Sequence, residues 1–151
     1  MNLYEVYKTD ATKERDNGIR VDLPGGASIW LRRAGGANSH FDRAMDAVMK
    51  PYRRQLQMGT LDDGKAEELM ATVYARAVVI DWEGVTDEQG NKLECTEEHI
   101  VKVFTDLPDL FEDIKAQAGN MANFRREEVE EAKGNSGKRS TTSSGTEART
   151  G

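Results

Sequence analysis

The feature that most constrains this chain is an apolar run, residues 69–80, that ends abruptly in an acidic stretch. The run carries apolar residues on most sides of a helix, a pattern typical of a helix at the centre of a core. The stretch that follows, residues 81–91, reads DWEGVTDEQGN. We therefore expect a central core helix that ends in an acidic surface turn, with Trp82 anchoring the end of the helix.

The N-terminal part of the sequence predicts β-structure. Residues 3–8 form a possible first strand. Residues 19–23 alternate apolar and polar side chains with the period of a half-buried strand, and Pro24-Gly25-Gly26 supplies a turn after them. Residues 27–33 complete an antiparallel hairpin.

From Asn38 onward the apolar spacing of three and four residues predicts helices. Pro51 predicts a break near Lys50, followed by a further helical turn that ends at Gly59. Thr60 opens an expected capping box, and Thr96 is the expected cap of a later helix.

The last predicted helix carries apolar residues from Leu110 to Met121 and Ala122, and Pro108 fits its first position. Residues 125–131 are helix-prone but almost wholly polar, so we expect them to project into solvent. Residues 134–151 are rich in Gly, Ser and Thr, and too few are apolar to offset the entropy of ordering.

The predicted class is α+β, with a small N-terminal antiparallel β element followed by a mainly helical bundle. The predicted domain covers residues 1–133, with the β part at about 1–36 and the helical part at about 38–133. Residues 134–151 are predicted to be a disordered tail.

Charge and composition exclude several classes of function. The formal net charge is −6, and residues 134–151 carry +2, so the rest of the chain carries −8. An acidic body disfavours nucleic-acid phosphates, and no run approaches the roughly 18 apolar residues that a membrane span needs. We therefore expect neither nucleic acid nor membrane as a partner.

The sequence offers no convincing catalytic, cofactor or metal site, so we expect a protein that is not an enzyme and binds no cofactor. A calcium loop that starts at Asp87 would place Lys92 where glycine is required. Cys95 and His99 are four residues apart, but they lack a third zinc ligand and an orienting group for a nucleophile. A surface turn, a surface histidine and a half-buried thiol explain these residues better.

One charged cluster invites a functional interpretation. Lys50-Pro51-Tyr52-Arg53-Arg54 places two arginines and an aromatic ring beside a proline break. A solvated helix face is the ordinary explanation, and a protein-contact patch is the functional one, because Tyr and Arg are favoured at binding hot spots. Methionines could add an adaptable surface, although spacing assigns Met45 and Met70 to the core.

Several segments, taken in order, resemble the tail assembly chaperones of long-tailed bacteriophages. The resemblance covers roughly residues 2–126. The segments that carry it are NLYEVY at 2–7, RAG at 33–35, KPYRR at 50–54, GTLD at 59–62, DWEGVTD at 81–87, LPDLF at 107–111 and ANF at 122–124.

The resemblance implies a protein that binds the tape measure protein and helps to recruit tail tube subunits, without catalysis. It would act in the host cytoplasm during assembly, be absent from the mature virion, and could also self-associate. The alternative is a structural minor tail or connector protein retained in the virion. The family supplies no catalytic residues, and the protein-contact candidates are Tyr52, Arg53, Arg54, Trp82 and Phe111.

Overall fold

The computed structural model describes residues 2–126. The described residues divide into two units, residues 2–10 with residues 125–126, and Ala11–Phe124. In the described part of the first unit the helix is α1, Leu3–Tyr7. The second unit contains three strands and five α-helices, which are β1 Ile19–Asp22, β2 Ser28–Leu31, α2 Ser39–Met49, α3 Arg53–Met58, α4 Asp63–Ala77, β3 Val79–Glu83, α5 Glu97–Asp106 and α6 Pro108–Gly119.

The predicted α+β class is confirmed. The three strands form an antiparallel sheet in the order β1-β2-β3, and the predicted hairpin supplies its first two strands. The predicted tail at 134–151 and most of the polar segment at 125–131 lie outside the described residues.

The third strand corrects the expectation of a helix running to Ile80. Helix α4 ends at Ala77, and Val79–Glu83 pairs with β2. Val79 and Trp82 are buried while Asp81 and Glu83 are exposed. These two buried residues are three positions apart because the pairing with β2 is irregular between Trp30 and Leu31, where an extra residue of β3 shifts the register. The sequence predicts a helix to Ile80 because residues 78–80 continue an apolar pattern that covers most sides of a helix.

The predicted first strand at residues 3–8 is also wrong, because this segment forms the short helix α1. Asn2 caps it, since the side-chain oxygen of Asn2 accepts a hydrogen bond from the backbone N–H of Glu5 at 3.0 Å. Strand propensity in Leu3–Tyr7 is overridden by this local cap.

Most helix boundaries agree with the sequence. A 3-10 turn, Lys50–Tyr52, separates α2 from α3 at the predicted proline break. The hydroxyl of Thr96 accepts from His99 N–H at 3.2 Å and caps α5, and Pro108 occupies the first turn of α6.

Two boundaries differ from the prediction. Asp62, not Thr60, caps α4, because its carboxylate accepts from the N–H of Lys65 at 3.2 Å. Helix α6 stops at Gly119, and the predicted continuation becomes a separate 3-10 turn, Met121–Phe124, in which Phe124 is buried. Asn120 separates α6 from this 3-10 turn, since its side chain accepts a hydrogen bond from the N–H of Ala122 at 3.0 Å.

The main core lies between the sheet and helices α4, α5 and α6. At its centre the ring of Phe111 stacks on Phe104 with centroids 4.9 Å apart and meets Tyr74 edge-on at 5.3 Å. A smaller cluster of Val48, Leu69 and Val73 lies between α2 and α4. The two clusters meet at Phe41, which packs against both.

Two buried polar groups join the core to the segment before α2. Glu14 is buried and forms an ion pair with Arg33, and its other carboxylate oxygen accepts from Ala37 N–H at 3.1 Å. The side-chain amide of Asn38 donates to the carbonyls of Arg33 and Ala77, both at 2.9 Å. These bonds fix residues 33–38 against the end of α4.

Candidate protein-binding site

The five predicted contact residues occupy two different environments. Tyr52, Arg53 and Arg54 lie together at the start of α3 on the surface, whereas Trp82 and Phe111 belong to the core. The structure therefore does not bring the five side chains into one site.

Trp82 is a core residue of β3 that also holds the turn after it. Its side chain is 7% exposed, and its ring N–H donates to the carbonyl of Leu93 at 2.9 Å. The expected anchoring role is thus found in a strand and its turn, not at the end of a helix. So little exposed surface leaves Trp82 no face for a partner in this conformation.

Phe111 is equally enclosed. Its side chain is 1% exposed, between Phe104 and Tyr74, and the ammonium group of Lys115 lies 4.5 Å from its ring centroid. Its contribution is to core packing.

The three surface residues belong to an exposed segment, residues 50–59, that contains the 3-10 turn and α3. We call this segment the basic arm. None of the six residues of α3 is buried. Leu56 is 44% exposed and Met58 is 63% exposed, so the arm presents two large apolar side chains to solvent. A helix that buries none of its own side chains gains little stability from packing.

The arm is held at its two ends. Tyr52 before α3 and Leu61 after it both pack against the cluster of Val48, Leu69 and Val73. These contacts fix the ends of the arm against α2 and α4, while the residues between them stay exposed.

Backbone hydrogen bonds close the C-terminal end of the arm. Thr60 N–H donates to the carbonyl of Gln55 at 3.0 Å and Gly59 N–H to that of Leu56 at 3.3 Å, the pattern of a Schellman motif. Gly59 has the positive φ of 68° that this motif requires. Thr60 belongs to this cap and lies two residues before Asp62, which is the N-cap of α4.

The two neighbouring arginines of the arm have different surroundings. Arg53 forms an ion pair with Asp46 of α2. In the part of the chain that the structure describes, the exposed side chain of Arg54 has no ion pair or hydrogen bond. Arg53 therefore ties the arm to α2, and Arg54 is available to another molecule.

A lysine of α4 contacts Tyr52 at the N-terminal end of the arm. The ammonium group of Lys65, in the first turn of α4, lies 5.4 Å from the ring centroid of Tyr52. The Tyr52 side chain and then the Glu68 carboxylate raise the pKa of Lys65 above its ordinary value. Tyr52 is thus part of the anchor of the arm, and its ring is only partly exposed.

The acidic turn at 84–93 uses its aspartate for backbone hydrogen bonds. One oxygen of Asp87 accepts from the N–H groups of Gln89 at 2.9 Å and Asn91 at 2.8 Å, and these donors lower the pKa of Asp87. Thr86 pairs with Lys92 across the turn. Within residues 2–126 no three His, Cys, Asp or Glu side chains form a group that could hold a metal ion.

Cys95 and His99 show no catalytic arrangement. Burial, and then the charge of Asp81, raise the pKa of the Cys95 thiol, so the reactive thiolate is disfavoured. The ring Nδ1 of His99 donates to the carbonyl of Glu94 at 2.7 Å. Cys95 is partly buried and His99 is bonded to the backbone, so both side chains have structural roles at the start of α5.

Sequence reasoning singled out the arginines of the arm but missed Leu56. It found Met58 only as one of several candidates for an adaptable surface, while Met45 and Met70 pack against the core as predicted. The available signal was the lack of an apolar stripe between Pro51 and Gly59, which marks a helix that has no face to bury. Among residues 2–126, no helix has the length and apolar character to cross a membrane.

Comparison with known proteins gives one family match. Residues 36–135 match the family model described as YdaY prophage protein, a range that covers α2 to α6 and the whole basic arm. No curated protein and no solved structure matches the chain.

Proposed function

The chain belongs to the YdaY prophage protein family and is phage-derived, and on that premise we propose that it is a tail assembly chaperone. In this role it binds the tape measure protein and helps to recruit tail tube subunits, through protein contacts and without catalysis. It works in the host cytoplasm during assembly. The proposal combines the phage origin with the resemblance of residues 2–126 to tail assembly chaperones.

The observation that carries the proposal is the basic arm. A six-residue helix is far too short to be stable by itself in water, and this one buries no side chain of its own. It is nevertheless held in place by a C-terminal cap, an ion pair to α2 and packed residues at both ends. Such an arrangement favours a preformed surface that pays little ordering entropy when a partner binds.

A chaperone for a long partner needs a surface of this kind. One arm offers only a small contact area, so each contact is weak and can be released when the tail tube replaces the chaperone. Many copies bound along one long partner would gain overall affinity through multivalency. The exposed Leu56 and Met58 would cover apolar residues of the partner that otherwise aggregate.

Co-expression with the tape measure protein of the same prophage tests the proposal. We expect the partner to stay soluble and to co-purify with a tagged version of this chain. If the tape measure protein remains insoluble and no complex is recovered, the proposal is wrong.

Mass spectrometry of purified particles separates the chaperone from its alternative. A chaperone is absent from finished virions, or present only in traces. A stoichiometric amount in the particle would instead identify a structural minor tail or connector protein.

A further inference from the structure

The outer face of the basic arm is formed by two residues with different chemistry. Arg54 and Met58 are four positions apart on α3, so their side chains lie on the same side of the helix. Arg53 and Leu56 share the other side, where Arg53 is held by Asp46. The outer row therefore combines an available guanidinium group with an exposed thioether.

The charge of the arm is opposite to that of the whole chain. Its charged residues are Lys50, Arg53 and Arg54, without an acidic residue between positions 50 and 59, while the chain has a net charge of −6. An acidic partner is repelled by most of the surface and attracted at the arm, so electrostatics would steer it there.

The apolar component defines the partner further. Met58 is 63% exposed and flexible, so it can pack against aliphatic side chains of varied shape. A helix of six residues is about 9 Å long, which corresponds to less than two turns of a partner helix. A partner that carries acidic and aliphatic residues one turn apart meets both members of the row.

We propose that Arg54 and Met58 form a docking row for an acidic amphipathic helix, whose carboxylate binds Arg54 and whose aliphatic side chain packs on Met58. This inference rests on the proposed function for the idea that the arm binds a protein, and it adds the chemical class of the segment that is bound. Lys50 contributes to the attraction from the preceding turn.

Two synthetic helical peptides of about 20 residues test the inference, one with Leu and Glu and the other with Leu and Lys in the same pattern. Fluorescence anisotropy of labelled peptide measures binding to the full chain at low and high salt. We expect the Glu peptide to bind at least about tenfold more tightly than the Lys peptide, and added salt to reduce the difference.

Charge reversal at the row provides the decisive variants. Arg54→Glu should weaken binding of the Glu peptide by about tenfold or more, and Met58→Ser should weaken it by a smaller factor. The matched control is Lys92→Glu, which makes the same charge change on the exposed turn at 84–93 and should alter binding by less than about twofold. Circular dichroism establishes that each variant is folded.

Three results would overturn the inference. The wild-type chain could bind neither peptide or prefer the Lys peptide, Arg54→Glu could behave like Lys92→Glu, or the arm could prove to be a self-association surface. In that third case sedimentation velocity would show an oligomer that Arg54→Glu dissociates, with no binding of the Glu peptide.

The outcome is separable from that of the co-expression test. A chain that binds the Glu peptide through Arg54 but never captures the tape measure protein supports the docking row and contradicts the chaperone function. A chain that captures the tape measure protein but does not bind the Glu peptide supports the chaperone function and contradicts the docking row.

Discussion

The aromatic core and the basic arm use large apolar side chains in opposite ways. In the core, Phe104 and Phe111 stack on each other and are each 1% exposed. In the arm, Leu56 and Met58 are 44% and 63% exposed on a helix that buries nothing. The core is folded by burial, whereas the arm is kept folded by its cap and by its two anchored ends.

This difference separates residues that stabilise the chain from residues that are available to a partner. A change in the core should lower the free energy of unfolding, while a change on the outer face of the arm should leave it nearly unchanged. The comparison can therefore be tested with pairs of variants, one from each region.

The largest expected effect is the removal of a core ring. Phe111→Ala leaves a cavity between Phe104 and Tyr74, and we expect the free energy of unfolding to fall by about 3–5 kcal/mol. Met58→Ala, its counterpart in the arm, should change it by no more than about 0.5 kcal/mol. Urea unfolding followed by fluorescence measures both, and equal losses would show that Met58 belongs to the core.

Ion pairs provide the second comparison. Glu14→Ala leaves the guanidinium group of Arg33 without its buried partner, and we expect a loss of about 3 kcal/mol in unfolding free energy. Asp46→Ala removes the exposed partner of Arg53 in the arm and should cost less than about 1 kcal/mol. If thermal unfolding ranks these two variants in the reverse order, the exposed pair of the arm contributes more to stability than the buried pair, contrary to this comparison.

Two glycines with positive φ provide a third pair. Gly59 has the left-handed helical conformation, with φ 68° and ψ 24°, in which Ala costs about 1–2 kcal/mol. Gly18 has φ 70° and ψ −169°, a region that is essentially restricted to glycine. At Gly18 an added Cβ would also lie 2.5 Å from the carbonyl oxygen of Leu31, while at Gly59 it meets nothing within 4 Å. Gly18→Ala should thus lower the melting temperature more than Gly59→Ala does.

The smallest expected effect concerns the pH dependence of the base of the arm. Since the pKa of Lys65 is raised in the folded chain, its contribution to stability is complete below its unfolded pKa and is lost as pH rises through the folded value. Wild type should be more stable than Lys65→Gln at pH 8, and the difference should decrease above about pH 10.5. Urea midpoints at pH 8, 10 and 11 measure it, and a difference that grows with pH would contradict the assigned contact between Lys65 and Tyr52.

The sequence predicts those elements whose signals are local. Period-two alternation identified β1, and Thr96 and Pro108 located the starts of α5 and α6 because caps and proline act on the nearest backbone groups. Strand β3 was missed because its apolar start continues the pattern of α4 without a break. Only the pairing with β2, which is distant in sequence, distinguishes the two elements.

The sequence names candidate contact residues, but their surroundings depend on tertiary packing in the same way. Arg53 and Arg54 were visible as a charged cluster, but the ion pair that distinguishes them depends on the position of α2 relative to α3. Trp82 and Phe111 were candidates together with them, and burial separates these two from the arginines. Residue type identifies what can bind, and tertiary packing decides which of those side chains remain available.

We propose that the arm, and not the core, makes the contact with the partner. The most direct test is co-purification of the tape measure protein with tagged wild type, Arg54→Glu and the charge-matched control Lys92→Glu. We predict that Arg54→Glu recovers at most about one tenth of the partner captured by wild type, while Lys92→Glu recovers a similar amount to wild type. Equal recovery by Arg54→Glu and wild type would contradict the claim.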